Sequence, residues 1–476
     1  MIKCREEIPC IFVVFLVLLL YNIKNDLKEG YIMKELNAAV EKHTEKIMEA
    51  ERYIWKHPET GYREVKTSAY LEREFRDLGY DLVLADGITG FYTVLDTGRP
   101  GPEVLVLAEL DSIICPEHPE SDPETGAVHS CGHHAQCAAM VGIAAALKEP
   151  GILDKFCGRI RLCLVPAEEL LEIGYRMELK KAGVIKYLGG KSEFLSRGYF
   201  DGVDIAFMVH TAGGFSVGKG SVGCLTKQII YKGKAAHAGG APHHGRNALY
   251  AAACGINAVN AIRETFRERD IIRVHPIITS GGAMVNAIPE QAVLESYVRG
   301  ASFEAICAAN QRVNQALCGA ALSIGTNVEI IDAPGYAPLA NDPNMCQLVA
   351  DAAALAIPEY EFKKGDAFSS GSTDMGDLSC IMPVVHPYCG GASGTGHGND
   401  YKIEDPVKAC VASAKMQLGM LLLLLSAGGE RAYKIIEEYE PCFASKEDFL
   451  SFMDSLNTEG DRIVYGEDHT VQINVK

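Results

Sequence analysis

Three apolar runs constrain this chain most: Val104-Leu105-Val106-Leu107-Ala108, Leu162-Cys163-Leu164-Val165 and Ile205-Ala206-Phe207-Met208-Val209. Short, unbroken and bounded by polar residues, they read as buried strands. Helical patterns alternate with them, so the expected fold is a layered α/β core, a mixed sheet flanked by helices. Each run gives way at its carboxyl end to residues that bind metals or protons: Glu109 and Asp111 after the first, Glu168 and Glu169 after the second, His210 after the third. Between the first two runs lies His129-Ser130-Cys131-Gly132-His133-His134, a glycine-containing loop that opens into a small apolar stretch with helical spacing at 135–147. An extended Cys-x-His segment would turn both side chains to one side, within reach of one metal. In α/β sheets, function collects at the carboxyl ends of strands.

The pattern extends in both directions. Helices are expected at 34–53 and 67–78, the second closing at Gly79, with a strand at 90–96. From Val222 the order changes to strand (224–231), helix (247–267), two strands (271–278 and 292–298), helix (303–322) and strand (328–331). That order describes a self-sufficient α+β (ferredoxin-like) module. The expected domains are an uncertain extension at 1–32, a catalytic domain split between 33–221 and 333–476, and an inserted lid and dimerisation domain at 222–332. Pro334-Gly335-Tyr336-Ala337-Pro338 reads as the return hinge. Beyond it, helices are expected near 342–355 and 406–426, and the glycine-rich loop 390–399 carries His397.

Composition narrows the partners. A length of 476 residues suggests two or three domains. A net charge of −17, with no basic cluster, excludes nucleic acid. Sixteen cysteines are scattered without a framework, several inside apolar segments (Cys137, Cys157, Cys163, Cys254), which reads as reduced thiols in the cytoplasm. The apolar run at 10–21 is shorter than the roughly 20 residues a membrane span needs, and no cleavage pattern follows it. No stable membrane partner is expected, and Met33, heading an amphipathic helix, is the expected native start.

Taken singly, each candidate has a plainer account. Glu168-Glu169 suits a solvated helix N-terminus, His210 a satisfied core histidine, Cys131 a buried thiol, and Arg299 a surface ion pair. Their joint occurrence at successive strand ends is harder to explain that way. Thiol, imidazole and carboxylate together suit zinc or another transition ion. Adjacent carboxylates on an extended chain face opposite sides, so one can bind metal while its neighbour deprotonates a water. A cysteine nucleophile with a histidine base and a non-catalytic metal-binding module both stay open. Gly394-Thr395-Gly396 lacks the lysine and spacing of a phosphate loop.

The run Ala108-Glu109-Leu110-Asp111, Cys131-Gly132-His133, Val165-Pro166-Ala167-Glu168-Glu169, His210 and His397 resembles the aminoacylase/carboxypeptidase family of metal-dependent amidohydrolases, notably its p-aminobenzoyl-glutamate hydrolase branch. Gly233-Lys234-Ala235-Ala236-His237-Ala238, Asn286-Ala287-Ile288-Pro289 and Gly371-Ser372-Thr373-Asp374 match in the same order. The resemblance implies one or two divalent ions, zinc or manganese, on Cys131, His133, Glu169, His210 and His397, with Cys131 as the bridge. It implies Glu168 as general base, Asp111 orienting the ligands, His237 stabilising the oxyanion, and Asn286 and Arg299 gripping a substrate carboxylate. The implied reaction is hydrolysis of the amide in a small N-acyl amino acid or p-aminobenzoyl-glutamate-like substrate, with a dipeptidase of the same family as the alternative. A homodimer paired through the inserted domain, and a hinge motion closing the site, are implied as well. One departure stands out: relatives usually carry Asp or Asn where this chain has His134, which leaves an extra ligand, a supporting donor or altered specificity open.

Overall fold

The computed structural model describes residues 29–466 and 470–475; the apolar run at 10–21 lies outside them. The chain opens with helix α1 (29–42) and α2 (Thr44–Trp55), broken at His43 where one continuous helix was expected. Met33 lies inside α1, buried, rather than at its head. Helix α3 (Val65–Asp77) leads to strands β1 (Val83–Leu84), β2 (Phe91–Asp96) and β3 (Glu103–Glu109). Helix α4 (His133–Leu147) follows, then β4 (Arg159–Val165), α5 (Ile173–Lys181) and β5 (Ile205–Met208). Every residue of α4 is buried, as its lack of a polar face dictates.

The chain then leaves this layer for β6 (Gly223–Lys232), α6 (Ala248–Arg263), β7 (Arg273–Val274), β8 (Ile277–Ser280), β9 (Gln291–Gly300), α7 (Phe303–Ile324) and β10 (Asn327–Tyr336). It returns through α8 (Pro343–Ala356), α9 (Met375–Ser379), β11 (Val384–Val385), α10 (Ser413–Leu425), α11 (Lys446–Ser455) and β12 (Thr458–Asp461). The first sheet has the order β1-β2-β4-β3-β5-β11, with β4, β3, β5 and β11 mutually parallel. Register pairs Leu107 with both Cys163 and Met208, which brings the carboxyl ends of β4, β3 and β5 level. Helices α1, α2, α4, α8 and α10 cover one face in a single apolar core. Though α10 and the π-helical turn before it are long and apolar enough to cross a membrane, they are buried in that core.

The second sheet runs β7-β9-β6-β10-β12, with β8 also on β9, beneath α6 and α7. This is the smaller α+β unit, inserted between β5 and α8. Two features differ from the expected boundaries. The proposed hinge residues up to Tyr336 are strand, because β10 stays paired with β6 across a register shift at Cys224/Leu225. The sheet also recruits β12 from the far end of the chain, pairing Glu329 with Asp461 and Asp332 with Thr458. Beneath it, buried Lys227 is bonded to Asp332 and, at 2.6 Å, to Asn314.

Candidate metal centre

The Cys-Gly-His segment is not extended. Gly132 adopts φ 93° and caps α4, so a left-handed turn, rather than strand alternation, sets Cys131 against His133. A Cβ at Gly132 would stand 2.5 Å from the Tyr401 hydroxyl. The Glu168 loop is also bent: Ala167 takes φ 57°, strain of about 1–3 kcal/mol. It is held by Glu64, whose carboxylate accepts the Ala167 N–H at 2.8 Å. Glu168 and Glu169 are 7% and 9% exposed and start no helix, which removes the solvated-terminus account.

These bends and the parallel strand ends bring the candidate ligands together. Cys131 Sγ lies 3.4 Å from His210 Nε2. His397 Nε2, from its loop, lies 3.0 Å from Glu169 Oε1. Asp111 ties two of the elements, meeting His133 Nδ1 at 3.2 Å and accepting the Glu169 N–H at 2.8 Å. Donor atoms converge in three overlapping groups: Cys131 with His133 and His210; Cys131 with Glu169 and His397; and Glu109 with His133 and Glu168. Cys131 is shared by the first two. His133 Nε2 is buried 3.2 Å from Glu109 and 4.0 Å from Glu168, without a hydrogen bond to either. An unpaired nitrogen among crowded carboxylates fits a cation, and the mixed donors fit a transition ion.

The electrostatics point the same way. Against burial and Glu169, the imidazoles of His133 and His210 draw the Cys131 thiol down to about 6. Glu169 raises His397 to about 11. Burial, with Glu109 and Glu169 close by, pushes Glu168 well above the ordinary carboxylate range. Beneath them Lys191, fully buried, donates to Glu109 at 2.5 Å and to Asp374. Despite its burial, Glu109 is thereby held at about 2.

A cavity of about 720 Å³ opens over this floor, lined by Cys131, Glu168, Glu169, His210 and His397, and by Arg299, Lys363 and Tyr297. Arg299 donates to Ser372 at 2.9 Å and stacks over Tyr297. His237 and Asn286 do not line it. They stand beside each other on the inserted unit, His237 paired with Ala287 and Ala238 N–H donating to Asn286 O at 2.9 Å. His237 Nδ1 accepts from the Gly239 and Gly240 amides, so in the neutral ring Nε2 carries the proton. His134 does not line the cavity; it lies 3.5 Å from Glu51 and against Trp55, behind the candidate ligands. Lys191 was missed in the sequence: a lone lysine after two glycines gives no signal of burial.

A sheet that gathers such donors at adjacent parallel strand ends, beneath an inserted α+β unit, is the architecture of an amide-cleaving hydrolase. Residues 105–422 match Peptidase family M20/M25/M40, and the chain belongs to that family. It is 27% identical to the mouse Xaa-Arg dipeptidase over 363 residues, 73% of this chain and 77% of that one. It is 28% identical to a p-aminobenzoyl-glutamate hydrolase polypeptide from Escherichia coli over 354 residues, 62% of this chain and 76% of that one. Among solved structures, a dinuclear metal-binding peptidase from Bacillus subtilis superposes with a TM-score of 0.57 at 20% identity, covering 80% of this chain and 98% of that one.

Proposed function

We propose that this family member hydrolyses the amide of small N-acyl amino acids of the p-aminobenzoyl-glutamate kind, with an acidic amino acid as the leaving amine. One observation carries the reading: Glu168 and the metal-binding cluster share a cavity with Arg299 and Lys363, while the only acids among its described lining residues are Glu168 and Glu169. A guanidinium takes a carboxylate in a two-pronged bond. An Xaa-Arg dipeptidase, the activity in the mouse relative's name, would need a further acid to face the arginine side chain.

Cys131, His133, Glu169, His210 and His397 would hold one or two zinc or manganese ions, which polarise the scissile carbonyl and acidify a water when bound. Glu168 takes the water's proton at a carboxylate oxygen and returns it to the leaving amine. Asp111 keeps the His133 ring and the Glu169 backbone in register. His237 Nε2–H suits donation to the oxyanion, but from the inserted unit it must be brought to the cavity. We assign that to a second copy. The β10 edge of the inserted sheet is covered by β12, whereas β8 on the other side is exposed along its whole length. Ile277, Ile278, Met284 and Val285 stand in solvent, the last two just before the Ala287-Ile288 partner of the His237 strand, a surface suited to burial in a homodimer. The free cysteines support a reducing, cytoplasmic setting.

The test compares chelator-stripped and zinc- or manganese-restored protein on p-aminobenzoyl-glutamate, neutral N-acyl amino acids and arginyl dipeptides, scoring released amine. Activity is expected to vanish with the metal, return with it, and favour the glutamate substrate by about tenfold or more. A preference for arginyl dipeptides would overturn the substrate class. Activity that survives chelation but is lost on thiol alkylation would instead make Cys131 a nucleophile.

A further inference from the structure

Away from the cavity, one pair of thiols is built differently from the other described cysteines. Cys380 follows α9 directly and is 2% exposed; Cys442 lies on the loop before α11 and is exposed. The loop is pinned against the end of α9 twice: the Tyr439 hydroxyl donates to Ser379 O at 2.8 Å, and Phe443 N–H donates to Cys380 O at 3.1 Å. Phe443 is anchored in turn against the rings of Phe303, Phe449 and Phe452. These bonds bring Cys442 and Cys380 beside each other.

We propose that Cys442 and Cys380 form a peroxide-sensitive pair, Cys442 as the attacking thiolate and Cys380 as the resolving thiol. Exposure gives a small oxidant access to Cys442, and the buried partner stands beside it. The neighbouring Cys380 draws the Cys442 thiol below its ordinary range against its partial burial, which favours the thiolate on the exposed member. The groups facing the pair are the Asp377 carboxyl and the Tyr439 phenol; burial pushes both up, leaving them uncharged competitors at most near neutrality. Cys442 S⁻ attacks one oxygen of hydrogen peroxide, the O–O bond breaks, and a sulfenic acid forms with hydroxide released. Cys380 sulfur then attacks the sulfenic sulfur and the S–O bond breaks. The departing oxygen takes the Cys380 proton and leaves as water. Two thiols are oxidised to one disulfide and one peroxide is reduced.

The bond would join two segments of the fold. Downstream of Cys442, α11 and β12 run onto the inserted sheet; upstream of Cys380, α9 begins just after the Ser372 and Thr373 that line the cavity. Oxidation therefore anchors the strap between the two units at its catalytic end.

Cys307, also exposed but held up by burial, is the internal control. The full-length protein is treated with hydrogen peroxide at neutral pH, alkylated, digested without reductant and analysed by mass spectrometry. The expected result is a Cys380–Cys442 crosslinked peptide that dithiothreitol reverses, with Cys307 still alkylated. In Cys380→Ser, a sulfenic acid trapped by dimedone is expected at Cys442. In the untreated wild type, alkylation of Cys442 should reach half its maximal rate near pH 6, at least about tenfold faster than Cys307 at pH 7. No crosslink, or equal reactivity of Cys442 and Cys307, would overturn the proposal.

Discussion

At the cleft floor Asp111, His133, Glu168 and Glu169 are buried, and Asp111 bonds both the His133 ring and the Glu169 N–H; at the tip of the inserted unit His237 and Val285 stand in solvent. Both regions carry residues suited to the same reaction, yet only the first is fixed within one chain. The floor rests on the buried Lys191 network and on strand ends locked by register. The tip rests on a short two-stranded pair, Ala236-His237 with Ala287-Ile288, beside an open edge. Preorganised groups can act without moving, while exposed ones need either a closing motion or a partner.

Substitutions at the two regions should separate accordingly. Glu168→Gln is expected to lower kcat by about 10²–10⁴ while keeping the metal content of the wild type, measured by hydrolysis assay and elemental analysis. Turnover like the wild type would remove Glu168 from the mechanism. His237→Ala is expected to lower kcat by about 10²–10³ with metal content and KM nearly unchanged. A loss of metal instead would tie His237 to the floor and erase the distinction.

A third substitution tests whether the inserted unit is rigid beneath its exposed tip. Asp332→Ala leaves Lys227 buried with no opposing charge, bonded only to Asn314, and should cost about 3–5 kcal/mol by denaturant unfolding. The pH dependence follows from the same pair. Against the push of burial, Lys227 holds Asp332 below its ordinary value of 3.8. This contribution is therefore present above that pH and lost as pH falls through the lowered folded value. An alanine variant as stable as the wild type would show that the unit does not depend on the pair. The smallest effect is expected from Arg299→Met, a rise in KM of roughly tenfold for p-aminobenzoyl-glutamate with kcat little changed.

The same contrast governs what the sequence revealed. The strand runs and the ionisable residues at their ends were legible because full burial leaves an unbroken apolar run, and the resemblance supplied the ligand set. How Cys131 and His133 converge was not legible, since a left-handed Gly132 and an extended one read alike in sequence. Lys191 stayed hidden because nothing local marks a lysine whose partners, Glu109 and Asp374, are brought in by the fold. The strand β12 was missed because its partner β10 lies more than a hundred residues upstream and its own four residues are half exposed. The separation of His237 from the cavity is a property of two units in space, which no local pattern encodes.

The most direct test of the account coexpresses Glu168→Gln and His237→Ala so that the chains assort at random. If a second copy delivers His237, each mixed dimer contains one complete site, and activity should recover to about a quarter of the wild type. Activity no higher than that of the two variants expressed alone would contradict the account, because His237 would then serve only the chain that carries it.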